Sequence, residues 1–353
     1  MIFPLEEIGS SSWDRGESPD YLRISLAAAI TLRLKPGLFY RNARLGCLNL
    51  LLTYRDGCLA SCAYCGLSQR REGEFGQKSF IRVEWPTYPL EQILSHLATA
   101  PDIQRICLSM VTHPRVARDS LSIVQRLREA SPLPISLLAT PTSLQRADLE
   151  GFHQAGVQIL SVAIDGATEE LFQKYRSVCG PHRWNPYWDF LQTAAEVFDP
   201  GRVGCHLIAG LGETEKEMVE AIQRVKGLGG RTHIFSFYPE QGSALEGRRP
   251  CPAPQYRRVQ LARYLIDEGL ASADAMRYDE KERIRDFGLP DERLQAVVRS
   301  GQPFETSGCP GQGQRVACNR PYGDGPPRDI RSYPFALEAR DIRRVERQLW
   351  NYR

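Results

Sequence analysis

The chain has 353 residues, of which 25% are charged, and a formal net charge of +3. This length suits one large α/β domain with additions, or two domains, and so small a net charge excludes the strong field that attracts nucleic acid or an acidic membrane surface. No apolar run reaches the roughly eighteen residues that a membrane helix needs. We therefore expect a soluble, cytoplasmic protein with no nucleic-acid or membrane partner.

Apolar runs alternate with amphipathic segments through the central part of the chain. The short apolar runs predict strands, and the segments between them predict helices. Six strands with intervening helices indicate an α/β fold with a parallel sheet and right-handed crossovers. The predicted strands are 47–54, 103–110, 134–139, 157–164, 203–210 and 232–238, and the predicted helices are 90–98, 120–129, 143–154, 169–175, 188–197 and 215–225.

Two extensions flank this core. In the N-terminal extension, an apolar stretch at 22–34 predicts a helix that closes one end of the sheet. In the C-terminal extension, helical periodicity predicts helices at 256–268 and 338–350, with a loop rich in glycine and proline at 308–334. The predicted domains are 1–45, 46–240 and 241–353.

Three cysteines follow the first predicted strand: Cys58, Cys62 and Cys65. Their spacing suits an iron–sulfur cluster held by three thiolates, which leaves one iron free to bind a substrate or cofactor. A zinc site would need a second ligand pair, and none follows within thirty residues. Tyr64, beside the last cysteine, could shield the cluster or stack on a bound ring.

Two more cysteines, Cys309 and Cys318, lie in the polar loop of the C-terminal extension. Apolar burial does not explain cysteines in such a loop, and the glycines around them leave backbone N–H groups free for contacts to sulfur. We interpret both as ligands of a second, auxiliary iron–sulfur cluster, which needs about four ligands. We assign Cys47 and Cys107 as the other two and hold Cys205 in reserve; burial in a strand is the alternative role of these three.

The Cys-x3-Cys-x2-Cys spacing, with an aromatic residue before the last cysteine, resembles that of the radical S-adenosylmethionine enzymes. The resemblance implies that S-adenosylmethionine binds the open iron of a 4Fe–4S cluster. It also implies that the reduced cluster cleaves the cofactor to a 5′-deoxyadenosyl radical, which removes hydrogen from an unactivated carbon. The parallel sheet would then curl into the partial six-stranded (βα)6 barrel of that family.

A glycine-rich turn follows the fifth predicted strand, in the run Ile208-Ala-Gly-Leu-Gly-Glu-Thr214. An ordinary turn between a strand and a helix would have a similar sequence. The run is also similar to the adenine-contacting segment of radical S-adenosylmethionine enzymes and to a Gly-Leu-Gly-Glu-Thr run of biotin synthase. This similarity implies that Ile208 and Gly210 contact the cofactor.

Two further segments match cofactor-binding positions of the family. Asp165, after the fourth predicted strand, matches a position that contacts the ribose or methionine end of the cofactor; capping the helix at Glu169 is its alternative role. After the second predicted strand, this chain lacks the Gly-Gly-Glu run that binds the methionine amino group in many members. The resemblance implies that Ser109, Thr112 or His113 makes this contact instead.

Four runs resemble one component of the two-protein lipoyl synthases: 49–54, 80–86, 181–184 and 317–322. The resemblance implies a sulfurtransferase that acts with a second radical S-adenosylmethionine protein on an octanoyl chain attached to a carrier protein or lipoyl domain. Ferredoxin or flavodoxin would be the electron donor. This chain would remove hydrogen from carbon 6 or carbon 8, and a sulfide of the auxiliary cluster, which is consumed, would capture the carbon radical.

Other functions stay open. Cys107 and Cys205 match two cysteines that hold the sulfur-donating cluster of biotin synthase, but the third matching strand has Ser136 and no cysteine. Ser332 is similar to a cluster-ligating serine of lipoyl synthase, with a turn cap as its alternative role. The protein could instead be another biotin-synthase-like radical enzyme that modifies a small molecule, or an iron–sulfur electron carrier or scaffold.

Overall fold

The computed structural model of the protein describes residues 16–178, 180–313 and 315–352; residues 1–15 of the predicted N-terminal extension lie outside this part. Eight strands form one sheet, and two short strands form a second. The strands are β1 (Tyr21–Ile24), β2 (Cys47–Leu52), β3 (Thr87–Pro89), β4 (Arg105–Ser109), β5 (Ile135–Ala139), β6 (Val157–Asp165), β7 (Val203–Ala209), β8 (Arg231–Ser236), β9 (Arg277–Tyr278) and β10 (Ile284–Asp286).

Six parallel strands make up most of the large sheet, in the order β2, β4, β5, β6, β7 and β8. They are the six predicted strands. All six residues of β2 are buried, as expected of a strand covered on both faces, which is why its sequence is a continuous apolar run. The structure confirms the predicted α/β fold, with the largely parallel sheet of a partial barrel.

Helices connect the parallel strands and bury one apolar face each. On α3, for example, Ile123, Val124 and Leu127 are buried at helical spacing. No helix in the described part of the chain has the length and apolar character needed to cross a membrane. The helices are α1 (Leu26–Thr31), α2 (Leu90–Leu97), α3 (Val116–Ala130), α4 (Arg146–Gln154), α5 (Glu169–Leu171), α6 (Trp184–Val197), α7 (Glu215–Gly227), α8 (Ala253–Asp267), α9 (Asp291–Ser300) and α10 (Ala339–Leu349), with a π-helix at Phe172–Arg176.

The predicted helix at 22–34 is only partly correct. Its first residues form β1, which pairs antiparallel with both β2 and β3, so that Leu22 lies opposite Leu52. The helix α1 begins after Ser25, whose side chain accepts a hydrogen bond from the Ala28 N–H. The free edge of β2 offers backbone partners to the segment, and this pairing outweighs its helical pattern.

The C-terminal extension contains the two predicted helices, α8 and α10, and also α9 and the β9–β10 hairpin, which were not predicted. Buried polar side chains of α8 hold the long loop that follows α9. Arg257 Nη2 donates to the Ile330 carbonyl at 2.7 Å, and the Tyr256 hydroxyl lies 3.0 Å from Ser332 Oγ. At its other end the loop meets the amino end of β2, where the Gly46 N–H donates to Asn319 Oδ1 at 3.1 Å.

Candidate active site

A cavity of about 230 Å³ lies inside the barrel. On some strands alternate residues line it, because neighbouring residues of a strand face opposite sides of the sheet. On β4 the lining residues are Cys107 and Ser109, and on β7 they are His206 and Ile208. The interior of the barrel is therefore the place to look for the predicted site residues.

Cys58, Cys62 and Cys65 lie on the loop after β2, at the carboxyl end of the parallel strands, and all three line the cavity. The backbone N–H of Thr112 donates to Cys58 Sγ at 3.4 Å. The N–H of Leu67 donates to Cys65 Sγ at the same distance. Hydrogen bonds to sulfur of this kind tune iron–sulfur clusters, so the loop fits a cluster held by three thiolates.

The thiols of Cys62 and Cys65 are protonated when no iron is bound. Burial raises the pKa of Cys62 to about 11 and the pKa of Cys65 well above its usual value. Because iron binds thiolates, loading of the loop must release these protons. Within the residues that the structure describes, no group of three or more His, Cys, Asp or Glu side chains is arranged for a single metal ion.

A buried network of Tyr64, Asp165 and Arg176 lies beside the cysteine loop. The Tyr64 hydroxyl donates to Asp165 Oδ2 at 2.6 Å, and Arg176 Nη1 donates to the Tyr64 oxygen at 2.8 Å. Arg176 also forms an ion pair with Asp165. Burial raises the pKa of Tyr64, so its hydroxyl stays protonated and keeps donating. All three side chains line the cavity next to the three cysteines.

Asp165 does not cap the helix at Glu169, because Thr168 caps it by accepting a hydrogen bond from the Leu171 N–H at 3.2 Å. Arg176 was not predicted. It ends the π-helix at Phe172–Arg176, and such single π-turns are frequent at functional sites. The sequence offers only a basic residue shortly after the strand that ends in Asp165, a signal too common to identify a site.

Of the residues predicted at the glycine-rich turn, Ile208 lines the cavity and Gly210 does not. Gly210 has φ 102°, and a Cβ there would lie 2.5 Å from the Cys251 Cβ, so close packing requires the glycine. The Glu213 carboxylate holds the turn by accepting from the Gly210 N–H at 2.6 Å and from the Gly212 N–H at 3.0 Å. Cofactor contacts by Ile208 and Gly210 stay predictions.

Of the three residues predicted to contact the methionine end, Ser109 and Thr112 line the cavity. His113 lies outside it: its ring stacks on Tyr54 with 3.7 Å between centroids. Its Nε2 lies 3.1 Å from Asp56 Oδ1. Ser109 and Thr112 are therefore the two of the three that can reach a ligand in the cavity.

The four predicted auxiliary ligands, Cys47, Cys107, Cys309 and Cys318, come together inside the barrel. Hydrogen bonds from Cys107 and Cys47 hold the pKa of Cys318 well below its usual range. Cys309 Sγ lies 3.8 Å from His233 Nε2, and burial together with the nearby Cys318 raises the pKa of Cys309 to about 12. Their role as cluster ligands stays a prediction.

Two features bring these cysteines together: side chains alternate between the faces of a strand, and the loop of the C-terminal extension packs against the sheet. On β2, Cys47 and Asn49 lie on the same face, and Asn49 lines the cavity. Asn49 Nδ2 lies 3.7 Å from Cys47 Sγ and 3.5 Å from Cys318 Sγ. Because Cys47 is the first residue of β2, this second group lies toward the amino ends of the strands. Cys58, Cys62 and Cys65 lie at the carboxyl ends.

Neither Cys205 nor Ser332, the two other candidate ligands, lies with the second group of cysteines. Cys205 is fully buried in the main hydrophobic core, on the opposite face of β7 from His206, which lines the cavity. Its Sγ contacts the carbonyl of His206 at 3.6 Å. Ser332 fastens the loop to α8, through Tyr256 at 3.0 Å and Gln260 at 3.4 Å between polar atoms. It is not a turn cap.

The surroundings of Arg320 show whether the second group of cysteines suits an anionic cluster. Its side chain is 9% exposed, lines the cavity and lies over the Phe235 ring at 3.9 Å. Its Nε and Nη2 form no hydrogen bond with any described residue, although Asp324 Oδ2 lies 3.5 Å from Nε. Buried cations need compensating partners, and an iron–sulfur cluster held by thiolates beside Cys318 would supply negative charge and sulfur acceptors. The residues present therefore fit such a cluster.

Residues 53–225 match the model of the Radical SAM superfamily. Biotin synthase from Azoarcus sp. is 25% identical over 182 residues, which cover 51% of this chain and 52% of that protein. Biotin synthase from Kocuria rhizophila is 26% identical over 241 residues, which cover 66% of this chain and 47% of that protein. The chain spans about half the length of the biotin synthases that it matches.

Among solved structures, HydG, a maturase of the FeFe-hydrogenase, matches with a TM-score of 0.50 and 10% identity, over 68% of this chain and 53% of that chain. This likeness supports the fold alone. The superfamily implies a 4Fe–4S cluster and S-adenosylmethionine, and Cys58, Cys62 and Cys65 lie within the matched residues. Residues 53–225, which include the cysteine loop at the cavity, are thus similar to the Radical SAM superfamily, and the chain is similar to biotin synthases.

Proposed function

We propose that the protein is one component of a two-protein lipoyl synthase, which inserts sulfur at carbon 6 or carbon 8 of a protein-bound octanoyl chain. One observation carries the proposal: a single cavity is lined by Cys58, Cys62 and Cys65 and also by Cys107 and Cys318. A radical generated at the first group would therefore form within reach of a sulfur source at the second.

Cys58, Cys62 and Cys65 would hold the cluster that binds S-adenosylmethionine, and the auxiliary cluster would be held by the second group, Cys47, Cys107, Cys309 and Cys318. When bound, the first cluster with its cofactor supplies a radical that removes hydrogen from an unactivated carbon, and the second supplies the sulfur. The protein's own residues bind and orient these groups and exclude water from them.

The walls of the cavity suit a hydrocarbon chain. Most of the accessible surface of the cavity wall is apolar and would exclude water from a reactive radical. An octanoyl chain has no charged group that would need a buried partner. The apolar lining residues include Met110, Val111, Leu138, Ile208, Phe235 and Phe237.

The runs that resemble two-protein lipoyl synthases also meet at this cavity. Asn49 from the run 49–54 lines it, as do most residues of the run 80–86. His182 from the third run and Cys318 from the fourth line it as well. Because these runs are far apart in the chain, their convergence supports a shared substrate. The proposed partners are an octanoylated carrier protein or lipoyl domain, a second radical S-adenosylmethionine protein, and ferredoxin or flavodoxin.

The similarity to biotin synthases favours a second candidate, sulfur insertion into a small molecule. In this case an auxiliary cluster would still be consumed, but no octanoylated protein would be a substrate. An electron carrier or scaffold is a third possibility, and it predicts no cleavage of S-adenosylmethionine by the reduced protein.

The proposal is tested with anaerobically reconstituted, reduced protein, S-adenosylmethionine and an octanoylated lipoyl-domain peptide, with and without a candidate partner protein. We expect 5′-deoxyadenosine together with a peptide mass gain that corresponds to sulfur, and loss of auxiliary iron and sulfide. Cofactor cleavage with no mass gain under either condition would refute the lipoyl proposal and leave the superfamily assignment intact.

A matched pair of variants separates the sulfur source from general packing. Cys107→Ala should abolish the mass gain while cofactor cleavage continues, because Cys107 faces the cavity beside Cys318. Cys205→Ala should keep both reactions, because Cys205 faces the core on the other side of the sheet. Equal loss of sulfur transfer in both variants would count against the second group as the sulfur site.

A further inference from the structure

His182 lies at the cavity on the side of the cysteine loop. It is 1% exposed and lines the cavity together with Cys62, Tyr64 and Arg176. Its segment follows the π-helix, and the segment's Gly180 packs close to the Ser61 N–H in the cysteine loop. His182 is thus placed beside the position where the cofactor meets the cluster.

The hydrogen bonds of His182 assign its tautomer. Nδ1 lies 2.6 Å from Thr142 Oγ1 and 2.7 Å from the Tyr187 hydroxyl. The two hydroxyls lie 3.1 Å apart, so that Thr142 can donate to the Tyr187 oxygen while the Tyr187 hydroxyl donates to Nδ1. With Nδ1 as an acceptor, the imidazole hydrogen resides on Nε2.

The hydrogen bonds that His182 forms with described residues are made by Nδ1, which leaves Nε2 for a ligand. A second donor nearby is in the same state, since Arg176 Nε is buried and has no partner there either. Burial, Arg176 and Arg183 lower the pKa of His182 to about 2, so the ring stays neutral. A buried guanidinium donor without a partner, beside a ring nitrogen that bonds no described residue, suits a ligand that brings an anionic acceptor.

We propose that His182 donates its Nε2–H to the carboxylate of bound S-adenosylmethionine. The carboxylate is the anionic group of this cofactor, and it can accept from more than one donor. His182 would therefore orient the methionine end of the cofactor at the cluster. This role does not depend on which substrate the enzyme thiolates.

The test compares the affinity of the reconstituted protein for S-adenosylmethionine and for decarboxylated S-adenosylmethionine, by equilibrium dialysis without reductant. We expect His182→Phe to weaken binding of S-adenosylmethionine about tenfold or more and to leave binding of the decarboxylated analogue within about twofold. His182→Gln, whose amide can donate from a similar position, should restore most of the loss. Iron content and thermal unfolding report whether each variant is folded and loaded.

Thr142→Val provides a second route if the His182 variants fold poorly. It keeps the shape of the side chain and removes one hydroxyl from Nδ1, so the ring is held less firmly in its donating orientation. We expect about a threefold loss for S-adenosylmethionine, again with no change for the analogue. Unchanged affinity for S-adenosylmethionine, or equal losses for both ligands, in the folded variants would overturn the proposal.

Discussion

Single residues show which buried charges lack hydrogen-bond partners among the described residues. Arg320 is a buried cation beside Cys318, and two of its nitrogens form no hydrogen bond with any described residue. Arg258 is equally buried, but it forms a complete ion pair with Glu215 at 2.6 Å. The ion pair of Arg320, with Asp324 at 3.5 Å, is longer, and a bound anionic group would supply the partners that its two nitrogens lack.

We expect Arg320→Met to weaken the hold of the auxiliary site on its iron, because groups around a metal centre typically contribute about 10–100-fold in affinity. Release of iron to a chelator should be faster by a factor in this range. The control Arg258→Met should lower the free energy of unfolding by about 3–5 kcal/mol, because it leaves Glu215 buried without its partner, and should leave iron release unchanged. Equal iron release from the two variants would contradict the assignment of Arg320.

The stability of the iron-free protein should fall in acid, in part through His182. Its pKa is about 2 in the folded protein against 6.5 for an ordinary histidine, so unfolding takes up a proton below about pH 6.5. The contribution of His182 is therefore complete above pH 6.5 and is lost as the pH falls. Urea unfolding of wild type and His182→Gln should show a stability difference that shrinks by up to about 1.4 kcal/mol per pH unit between pH 6 and pH 4. A difference that does not change with pH would show that His182 does not titrate on unfolding.

At the scale of elements, side chains alternate between the two faces of a strand, and this alternation decides which cysteines face the cavity. Cys107 faces the cavity and Cys205 does not, although both lie within predicted strands. The turn after β7 shows a second constraint of this kind. Gly210 is needed because Cys251, about forty residues further along the chain, occupies the space where a side chain would stand.

Gly210→Ala should lower the free energy of unfolding by about 3 kcal/mol or more, because it adds a clash with Cys251 to an unfavourable φ of 102°. Gly229→Ala is a matched control. Gly229 also has a positive φ, 75°, but a Cβ there meets nothing within 4 Å, so only the backbone term of about 1–2 kcal/mol remains. Similar losses in the two variants, measured by urea unfolding, would mean that packing against Cys251 is not what selects the glycine.

At the scale of the whole molecule, the second group of cysteines connects distant parts of the chain. Cys47 and Cys107 lie on rigid parallel strands, whereas Cys309 and Cys318 lie on a loop without long helices or strands. A cluster held by all four would fasten this loop to the sheet. The loop also contacts α8 through Ser332 and the Gly46 N–H through Asn319.

Removal of iron should therefore loosen the loop selectively. Hydrogen exchange of backbone amides at 308–324 should become faster by about tenfold or more after chelation, because the cluster stabilises a local opening by its binding free energy. Amides of β4 and α3 should change little, since sheet and helix hydrogen bonds protect them. If protection at 308–324 is the same before and after chelation, the loop does not hold iron.

The sequence predicted much of the fold because its signals are local. The six parallel strands read as continuous apolar runs. The strand β1 was missed because its pairing depends on an edge of β2 about 25 residues away. The π-helix that carries Arg176, and the hydroxyl partners that assign the tautomer of His182, leave no repeated pattern that a sequence can show.

By itself, the sequence determined the α/β class, the cysteine triplet and the existence of extra cysteines in a polar loop, because strand periodicity and ligand spacing are properties of neighbouring residues. Only the tertiary structure decided that Cys47, Cys107, Cys309 and Cys318 meet, that Cys205 is turned away, and that Arg320 and His182 face the cavity. These outcomes depend on sheet register, on the side that each strand residue faces and on a loop that folds back over β2. No local pattern encodes them, because the contacting residues are up to about 270 positions apart.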